Sequence, residues 1–262
     1  MGQYVMAGNV RTYYEEHGEG EPLLLMHGGC CTIETFYTLT PELANRYRVI
    51  LPERRGHGRT ADVEGPISYD LMAQDTIAFM EATGIMSAHL VGYSDGACVG
   101  LVVAMSRPDL VRKFVSISGG FDVNGETKEW LAFAQSATPE ILEHNPALAK
   151  LVELYRQTTP DGPEHFPIVF EKIKRMWLEE PKIPPQNLSR ITAPTLIMAG
   201  DRDLITLEHT IELFRAIPKA QLCIVPGSSH GLVVEKPRVV AQAILDFLAD
   251  ERRPNTFSGI QA

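Results

Sequence analysis

Short apolar runs recur along the chain, bounded by Gly, Pro or polar residues. Such runs are typical of strands that are buried on both faces of a parallel sheet. They occupy residues 22–27, 48–51, 89–92, 113–118, 195–199 and 221–225. Apolar positions also recur at helical spacing, most clearly over 69–83, with Ser68 as the expected cap, and over 235–249. This alternation predicts an α/β fold with a mostly parallel sheet and helices on both faces.

Two regions depart from the alternation. Residues 3–17 read as two extended runs around Ala7-Gly8-Asn9, which predicts a hairpin. Between about 121 and 190 the pattern is helical, as in 139–155 and 164–178, and contains no buried-strand run. The natural account is a helical insertion within one α/β domain. The predicted division is a core of residues 1–120 and 191–250, a helical cap of residues 121–190 and a patternless tail of residues 251–262.

Composition narrows the function classes. The 262 residues carry 24 Lys and Arg against 33 Asp and Glu, a net charge of −9, and no basic stripe is visible. This balance argues against nucleic acid and anionic membranes as partners. The chain also shows no apolar stretch long enough to span a membrane and no signal peptide, so we expect a cytoplasmic protein. The four cysteines form no metal-binding pattern, so we expect neither metal nor cofactor. A homodimer is left open.

The strongest chemical signal is Gly92-Tyr93-Ser94-Asp95-Gly96, which lies directly between a predicted strand and a predicted helix. A serine on such a sharp turn has strained backbone angles and projects its hydroxyl outward, and the flanking glycines avoid collisions with the strand and the helix. Ser94 is therefore the candidate nucleophile. The alternative is a simple helix N-cap.

A serine needs a base to take its proton, and that base needs an orienting acid. After a Gly-x-Ser-x-Gly turn the expected chain order is Ser, then Asp or Glu, then His. Strand 195–199 runs into a loop with Asp201 and Asp203, and strand 221–225 runs into a loop with His230. Both loops follow the carboxyl ends of strands, where open α/β sheets place their sites. A solvated loop histidine is the alternative for His230.

Acyl transfer also needs amide N–H groups that bind the negatively charged oxygen of the tetrahedral intermediate. One is expected from Asp95, which follows the nucleophile. The other is expected from the loop His27-Gly28-Gly29-Cys30 after the first buried strand, and Gly29 is our choice.

From about residue 10 to residue 250 these motifs together resemble the α/β-hydrolase superfamily. The resemblance rests on five motifs, namely His27-Gly28-Gly29, Arg55-Gly56-His57-Gly58-Arg59, the serine turn Gly92–Gly96, Gly200-Asp201-Arg202-Asp203 and Gly227–Gly231. It implies that Asp203 is the triad acid, with Asp201 as the alternative, and that His57 is structural. It also implies a helical cap at 121–190. Relatives with an Asp nucleophile are excluded by Ser94.

The Ser-Asp-Gly form of the turn is similar to a subgroup that includes amino-acid ester hydrolases of the valacyclovir-activating type. That similarity implies a contact between Asp95 and a substrate ammonium group. The alternative is that an acid in the first helical turn simply favours the helix N-terminus.

We therefore predict a serine esterase that acts on a small-molecule ester through an acyl-enzyme intermediate. Activity should rise with pH, because the base must be unprotonated to accept the serine proton. The alternatives are lactone or carbon–carbon bond hydrolysis by the same triad, or a receptor-like protein that binds a ligand. The predicted substrate-binding residues are Cys30, Phe36, Tyr93, Trp130, Phe133 and Trp177.

Overall fold

A computed structural model describes residues 2–146 and 148–249 of the chain. Within these residues, eight strands form one sheet. The strands are β1 (Gln3–Ala7), β2 (Val10–His17), β3 (Glu21–Met26), β4 (Tyr47–Pro52), β5 (Ala88–Tyr93), β6 (Val111–Ile117), β7 (Thr195–Arg202) and β8 (Ala220–Ser229).

The strand order in the sheet is β1-β2-β4-β3-β5-β6-β7-β8. β1 and β2 form the predicted hairpin, and β2 pairs antiparallel with β4. All pairs from β4 to β8 are parallel, as the apolar runs predict. The carboxyl ends of β3, β5, β7 and β8 therefore lie at one edge of the sheet, where the loops with the candidate catalytic residues meet.

The helices cover both faces of the sheet. They are α1 (Thr40–Leu43), α2 (Tyr69–Ala82), α3 (Asp95–Ser106), α4 (Lys128–Ser136), α5 (Pro139–His144), α6 (Ala149–Thr158), α7 (Phe166–Glu179), α8 (Leu207–Ala216), α9 (Leu232–Glu235) and α10 (Pro237–Ala249). Ser68 caps α2 as predicted, because its side chain accepts a hydrogen bond from the Leu71 amide at 3.2 Å. None of the helices in the described parts of the chain is long and apolar enough to cross a membrane.

Two hydrophobic cores lie on the two faces of the sheet. Successive strand side chains point to opposite faces, so in β3 Leu24 packs into one core, with α2 and α3, while Leu23 and Leu25 pack into the other, with α10. All three leucines are fully buried. This double burial explains why the strand reads as a solid apolar run.

Helices α4–α7 all lie between β6 and β7, within the segment 121–190 that the sequence predicts as a cap. The amphipathic stretch 139–155 is divided into α5 and α6. Pro146 explains the break, because proline lacks a backbone donor and disfavours helical geometry at the residue before it. Asn145 is indeed extended, with ψ of 117°. The predicted tail, 251–262, lies outside the described residues.

Candidate active site

Ser94 occupies the sharp turn between β5 and α3. Its φ of 54° and ψ of −122° are unusual for a residue with a side chain, and such strain typically costs about 1–3 kcal/mol. The glycines on either side are required by contact. A Cβ on Gly92 would lie 2.6 Å from Ala97 Cα, and a Cβ on Gly96 would collide with the carbonyl oxygen of Met26. The turn thus presents Ser94 at the end of the central strand.

Three side chains from separate loops form a continuous hydrogen-bonded chain. His230 Nε2 lies 2.9 Å from Ser94 Oγ, and His230 Nδ1 lies 2.7 Å from Asp203 Oδ1. With Nδ1 protonated toward the carboxylate, Nε2 is the atom that accepts the serine proton. The arrangement has the geometry that a nucleophile, a base and an orienting acid require.

Asp203 is held in its ionised form by its surroundings. Burial raises the pKa of this carboxyl, but hydrogen bonds from His230 and from Ser118 Oγ, the latter at 2.5 Å, outweigh burial and keep the pKa below its usual range. Ser118 was not anticipated as a site residue. The signal available in the sequence is its position at the end of the apolar run 113–118, at the sheet edge where the site forms.

Asp201, the alternative acid, is oriented differently. Its side chain is 43% exposed and accepts hydrogen bonds from the amides of Gly227 and Ser228, at 2.9 and 3.1 Å. It braces the loop that carries His230, whereas the hydrogen bond to His230 Nδ1 comes from Asp203. Geometry therefore separates two acids that the sequence leaves open.

The two predicted oxyanion residues line the same cavity as Ser94. Gly29 follows β3, and a Cβ on it would collide with Asp95 Oδ2 and lie 2.8 Å from Trp177 Cζ2, so only glycine fits. Asp95 is the first residue of α3, and amides of a first helical turn have no acceptor within the helix. Both positions therefore bring backbone close to the nucleophile.

The Asp95 carboxyl is buried and hydrogen-bonded. Its Oδ1 accepts bonds from the Tyr69 hydroxyl and from Trp177 Nε1, both at 3.0 Å, and its Oδ2 lies 3.1 Å from the same indole nitrogen. Burial raises the pKa of Asp95, against the opposing effects of the Arg54 charge and of these hydrogen bonds.

A cavity of about 170 Å³ opens above the triad. Of the predicted substrate-binding residues, five line this cavity, namely Cys30, Tyr93, Trp130, Phe133 and Trp177. The structure corrects the expectation for Phe36. That side chain is fully buried in the core on the α10 face, beside Ile33 and Leu39, because the short helical turn at 33–36 directs it inward rather than toward the loop edge.

Several lining residues were not anticipated because they come from segments far apart in the chain and meet only in the folded protein. They include Tyr69, Cys98, Glu126, Leu142, Leu148 and Leu151. Glu126 is the most unusual of these. Burial, followed by repulsion from Asp95, raises its pKa to about 8, and its Oε2 is buried without a hydrogen-bond partner.

The cavity wall carries three carboxyl groups, and that of Glu126 stays mostly protonated at neutral pH because its pKa is about 8. Carboxyl groups come from Asp95, Asp122 and Glu126, and none of the described lining residues is Lys or Arg. The wall is therefore apolar with an acidic side.

The remaining candidate groups are inert or structural. Burial raises the pKa of Cys31 to about 11 and that of Cys98 to about 12, so both thiols stay protonated and are poor nucleophiles. His57 is buried, accepts a hydrogen bond from the Cys30 amide at 3.2 Å, and has its pKa lowered by burial to about 3.

In the parts of the chain that the structure describes, no group of three or more His, Cys, Asp or Glu side chains is arranged to hold a metal ion.

The fold and the geometry of this site agree with the family to which the sequence is similar. Residues 23–243 match the sequence model of the Alpha/beta hydrolase family. Because the match spans most of the chain, this protein belongs to the α/β-hydrolase family and is a hydrolase.

The relatives are hydrolases that are named for different substrates. A protein of Azorhizobium caulinodans named as a candidate carbamate hydrolase, RutD, is 26% identical over 94% of this chain and 98% of its own. The 2-hydroxymuconate semialdehyde hydrolase of a Pseudomonas species is 27% identical over 95% and 94%. The meta-cleavage product hydrolase of Pseudomonas fluorescens superposes with a TM-score of 0.80 at 24% identity, over 95% of this chain and 97% of that one, and supports the fold.

Proposed function

We propose that this protein is a serine hydrolase that cleaves small, uncharged carboxylic esters. The observation that carries the proposal is the hydrogen-bonded chain from Ser94 Oγ through His230 to Asp203, open to an apolar cavity. These are the three side chains that covalent acyl transfer to water needs, already within hydrogen-bonding distance.

The reaction follows from the atoms in place. Ser94 Oγ attacks the ester carbonyl while its proton passes to His230 Nε2, and Asp203 stabilises the imidazolium. The amides of Gly29 and Asp95 bind the negatively charged oxygen. The tetrahedral intermediate then breaks its C–O bond, and the leaving alkoxide takes the proton from His230. Water, deprotonated by His230, then attacks the acyl-enzyme. The bond between the acyl carbon and Ser94 Oγ breaks, Oγ takes the proton back from His230, and the carboxylic acid is released.

Cavity size and charge restrict the substrate. A cavity of about 170 Å³ is close to the size that accepts a benzene-sized molecule, about 150 Å³. This favours a short or single-ring acyl group. The carboxyl groups of Asp95 and Asp122 and the lack of Lys or Arg among the described lining residues disfavour a substrate that carries a carboxylate there.

Carbon–carbon bond hydrolysis is the second candidate, and the names of the relatives favour it. By their names, two of them act on 2-hydroxymuconate semialdehyde and on 2-hydroxy-6-oxo-2,4-heptadienoate. Both compounds are carboxylates, however, and none of the described residues that line this cavity is a Lys or Arg that would bind one. Ester hydrolysis is therefore the stronger proposal.

The test is a fluorophosphonate probe followed by a substrate panel, with wild type beside Ser94→Ala. We expect labelling of the wild type only. The panel compares p-nitrophenyl acetate and butyrate, a neutral lactone, a carbamate, a 2-hydroxy-6-oxo-dienoate, and an amino-acid ester with its N-acetylated form. The highest Ser94-dependent kcat/KM is expected on the neutral esters.

Other outcomes redirect the assignment. Preference for the dienoate would overturn ester hydrolysis in favour of carbon–carbon cleavage. A requirement for a free amine, lost in Asp95→Asn, would establish the ammonium contact that the Ser-Asp-Gly turn implies. A folded wild type that neither reacts with the probe nor turns over any substrate would support the receptor-like alternative.

A further inference from the structure

Two consecutive arginines after β4 are buried in different ways. Arg55 donates from Nε and Nη2 to both carboxylate oxygens of Asp75, at 2.6 and 2.7 Å, and so has a direct counter-ion. Arg54, 4% exposed, makes no ion pair among the described residues, and its Nε and Nη1 are buried without hydrogen-bond partners. Because burial of an uncompensated charge is costly, the position of Arg54 calls for a reason beyond packing.

The guanidinium of Arg54 holds the predicted oxyanion loop. Arg54 Nη2 donates to the carbonyl oxygen of Gly28 at 3.0 Å. The same oxygen lies 2.8 Å from His27 Nδ1. His27 Nε2 accepts the backbone N–H of Arg54 at 3.3 Å, so the proton of this ring lies on Nδ1 and points to Gly28.

These bonds fix the direction of one amide. The carbonyl of Gly28 and the N–H of Gly29 belong to the same planar trans peptide and point in opposite directions. Donors clamped onto the carbonyl therefore turn the Gly29 N–H away from Arg54. Hydrogen bonds in series also polarise one another, so a cation on the carbonyl side makes that N–H a stronger donor.

The charge of Arg54 also has an electrostatic partner. A Cβ on Gly29 would collide with Asp95 Oδ2, so a carboxylate adjoins the amide proposed to bind the oxyanion. A negative charge there opposes the charge that develops in the transition state. The positive charge of Arg54, on the other side of the Gly28–Gly29 peptide, acts against the burial that raises the pKa of Asp95.

We propose that Arg54 is a positioning residue of the oxyanion hole: it fixes the Gly28–Gly29 peptide through the Gly28 carbonyl and offsets the negative charge of Asp95 beside it. This inference rests on the proposed serine hydrolase function. The two consecutive arginines are then buried for different reasons. Arg55 pairs with Asp75, and Arg54 binds the carbonyl of Gly28.

The experiment compares Arg54→Gln and Arg54→Met with the matched control Arg55→Gln, on p-nitrophenyl acetate. Active sites are counted by fluorophosphonate titration, and folding is checked by circular dichroism. For Arg54→Met we expect kcat to fall about 100-fold, the lower range for loss of one oxyanion donor, with KM nearly unchanged. Arg54→Gln keeps a donor for the Gly28 carbonyl but lacks the charge, so a smaller loss of kcat is expected. Arg55→Gln should lower Tm while kcat stays within about threefold of wild type.

Two further readouts separate positioning from a merely structural role. The affinity for butylboronic acid, which forms a tetrahedral anion on the serine, should fall by the same factor as kcat/KM. The loss caused by Arg54→Gln should also be smaller in an Asp95→Asn background, because the charge to be offset is then absent.

The outcomes are distinguishable from failure of the proposed function. Wild-type turnover that does not depend on Ser94 overturns the proposed function and this inference together. Ser94-dependent wild-type turnover with an unchanged kcat in folded Arg54→Gln overturns the inference alone. Equal losses in Arg54→Gln and Arg55→Gln, or equal losses with and without Asp95→Asn, also overturn it. If Arg54→Met does not fold, Arg54→Gln decides the question by the same criteria.

Discussion

Trp177 of α7 donates its indole N–H to both carboxylate oxygens of Asp95, at 3.0 and 3.1 Å. Asp95 is the residue that follows the nucleophile, whereas Trp177 belongs to the helical segment 121–190. The bond therefore joins that segment to the turn on which the proposed chemistry depends. A change in the position of α7 would therefore alter the hydrogen bonds that Asp95 accepts.

Trp177→Phe tests this connection. The substitution keeps an aromatic ring but leaves a buried carboxylate without its indole donor, which should cost about 1–3 kcal/mol of unfolding free energy. Loss of the donor should also raise the pKa of Asp95 further. Chemical denaturation measures the first effect, with Tyr69→Phe as a parallel variant that removes a single bond to Asp95. A Trp177→Phe protein as stable as wild type would show that the indole bond is not a significant link.

Asp203→Asn and Asp201→Asn form a matched pair two residues apart. An amide at 203 cannot hold the His230 tautomer that accepts the serine proton, so kcat should fall about 10⁴-fold. Asp201 braces backbone amides of the loop that carries His230, whereas Asp203 holds the imidazole, so Asp201→Asn should keep kcat within a few-fold. Steady-state kinetics on one ester is sufficient. The reverse ranking would make Asp201 the catalytic acid.

Ser94→Gly and Ser94→Ala separate backbone strain from chemistry. Both variants lack the hydroxyl and should lose fluorophosphonate labelling. Glycine accommodates a φ of 54° without steric cost whereas alanine does not. We therefore expect Ser94→Gly to be more stable than Ser94→Ala by about 1 kcal/mol or more. Equal unfolding free energies would mean that the turn stores no strain at this residue.

Glu126→Gln tests the raised pKa on the cavity wall. Because the folded-state pKa is about 8 and the ordinary value is about 4.3, the folded protein retains a proton that the unfolded chain has released. The stability contributed by Glu126 is full below the ordinary pKa and is lost as pH rises to about 8.

The measurement is the Tm of wild type and Glu126→Gln at pH 5, 7 and 9. Glutamine does not titrate, so the wild type should lose Tm relative to the variant as the pH rises, by about 2–4 °C for each kcal/mol. Other buried acids, such as Glu53, are present in both proteins and cancel in the difference. A Tm difference that is constant from pH 5 to pH 9 would contradict the raised pKa.

The fold could be predicted well because its signals are local. A strand buried on both faces must be apolar throughout, and the run before His27 shows this plainly. The turn at Ser94 was recognisable because its glycines are required by contacts with adjacent elements. The break between α5 and α6 was missed although Pro146 marks it, since amphipathic spacing continues across the proline.

The cavity wall was harder to predict because aromatic residues at helical spacing serve cores and pockets equally. Phe36 was predicted to line the pocket but lies in a core. Glu126 lies on the cavity wall although no sequence motif indicates it. Arg54 shows the same limit. Its neighbour Arg55 has the same residue type, and only the folded chain places one against Asp75 and the other against Gly28.

The sequence by itself determined the order of the candidate catalytic residues along the chain. A serine lies between glycines, an acid follows one late strand and a histidine follows the next. The sequence determined this order because backbone geometry and burial constrain nearby residues strongly. The tertiary structure decided which acid meets His230, which side chains wall the cavity and which charges lie beside Gly29. Those depend on distances between loops far apart in the chain, and residue type and spacing do not encode such distances.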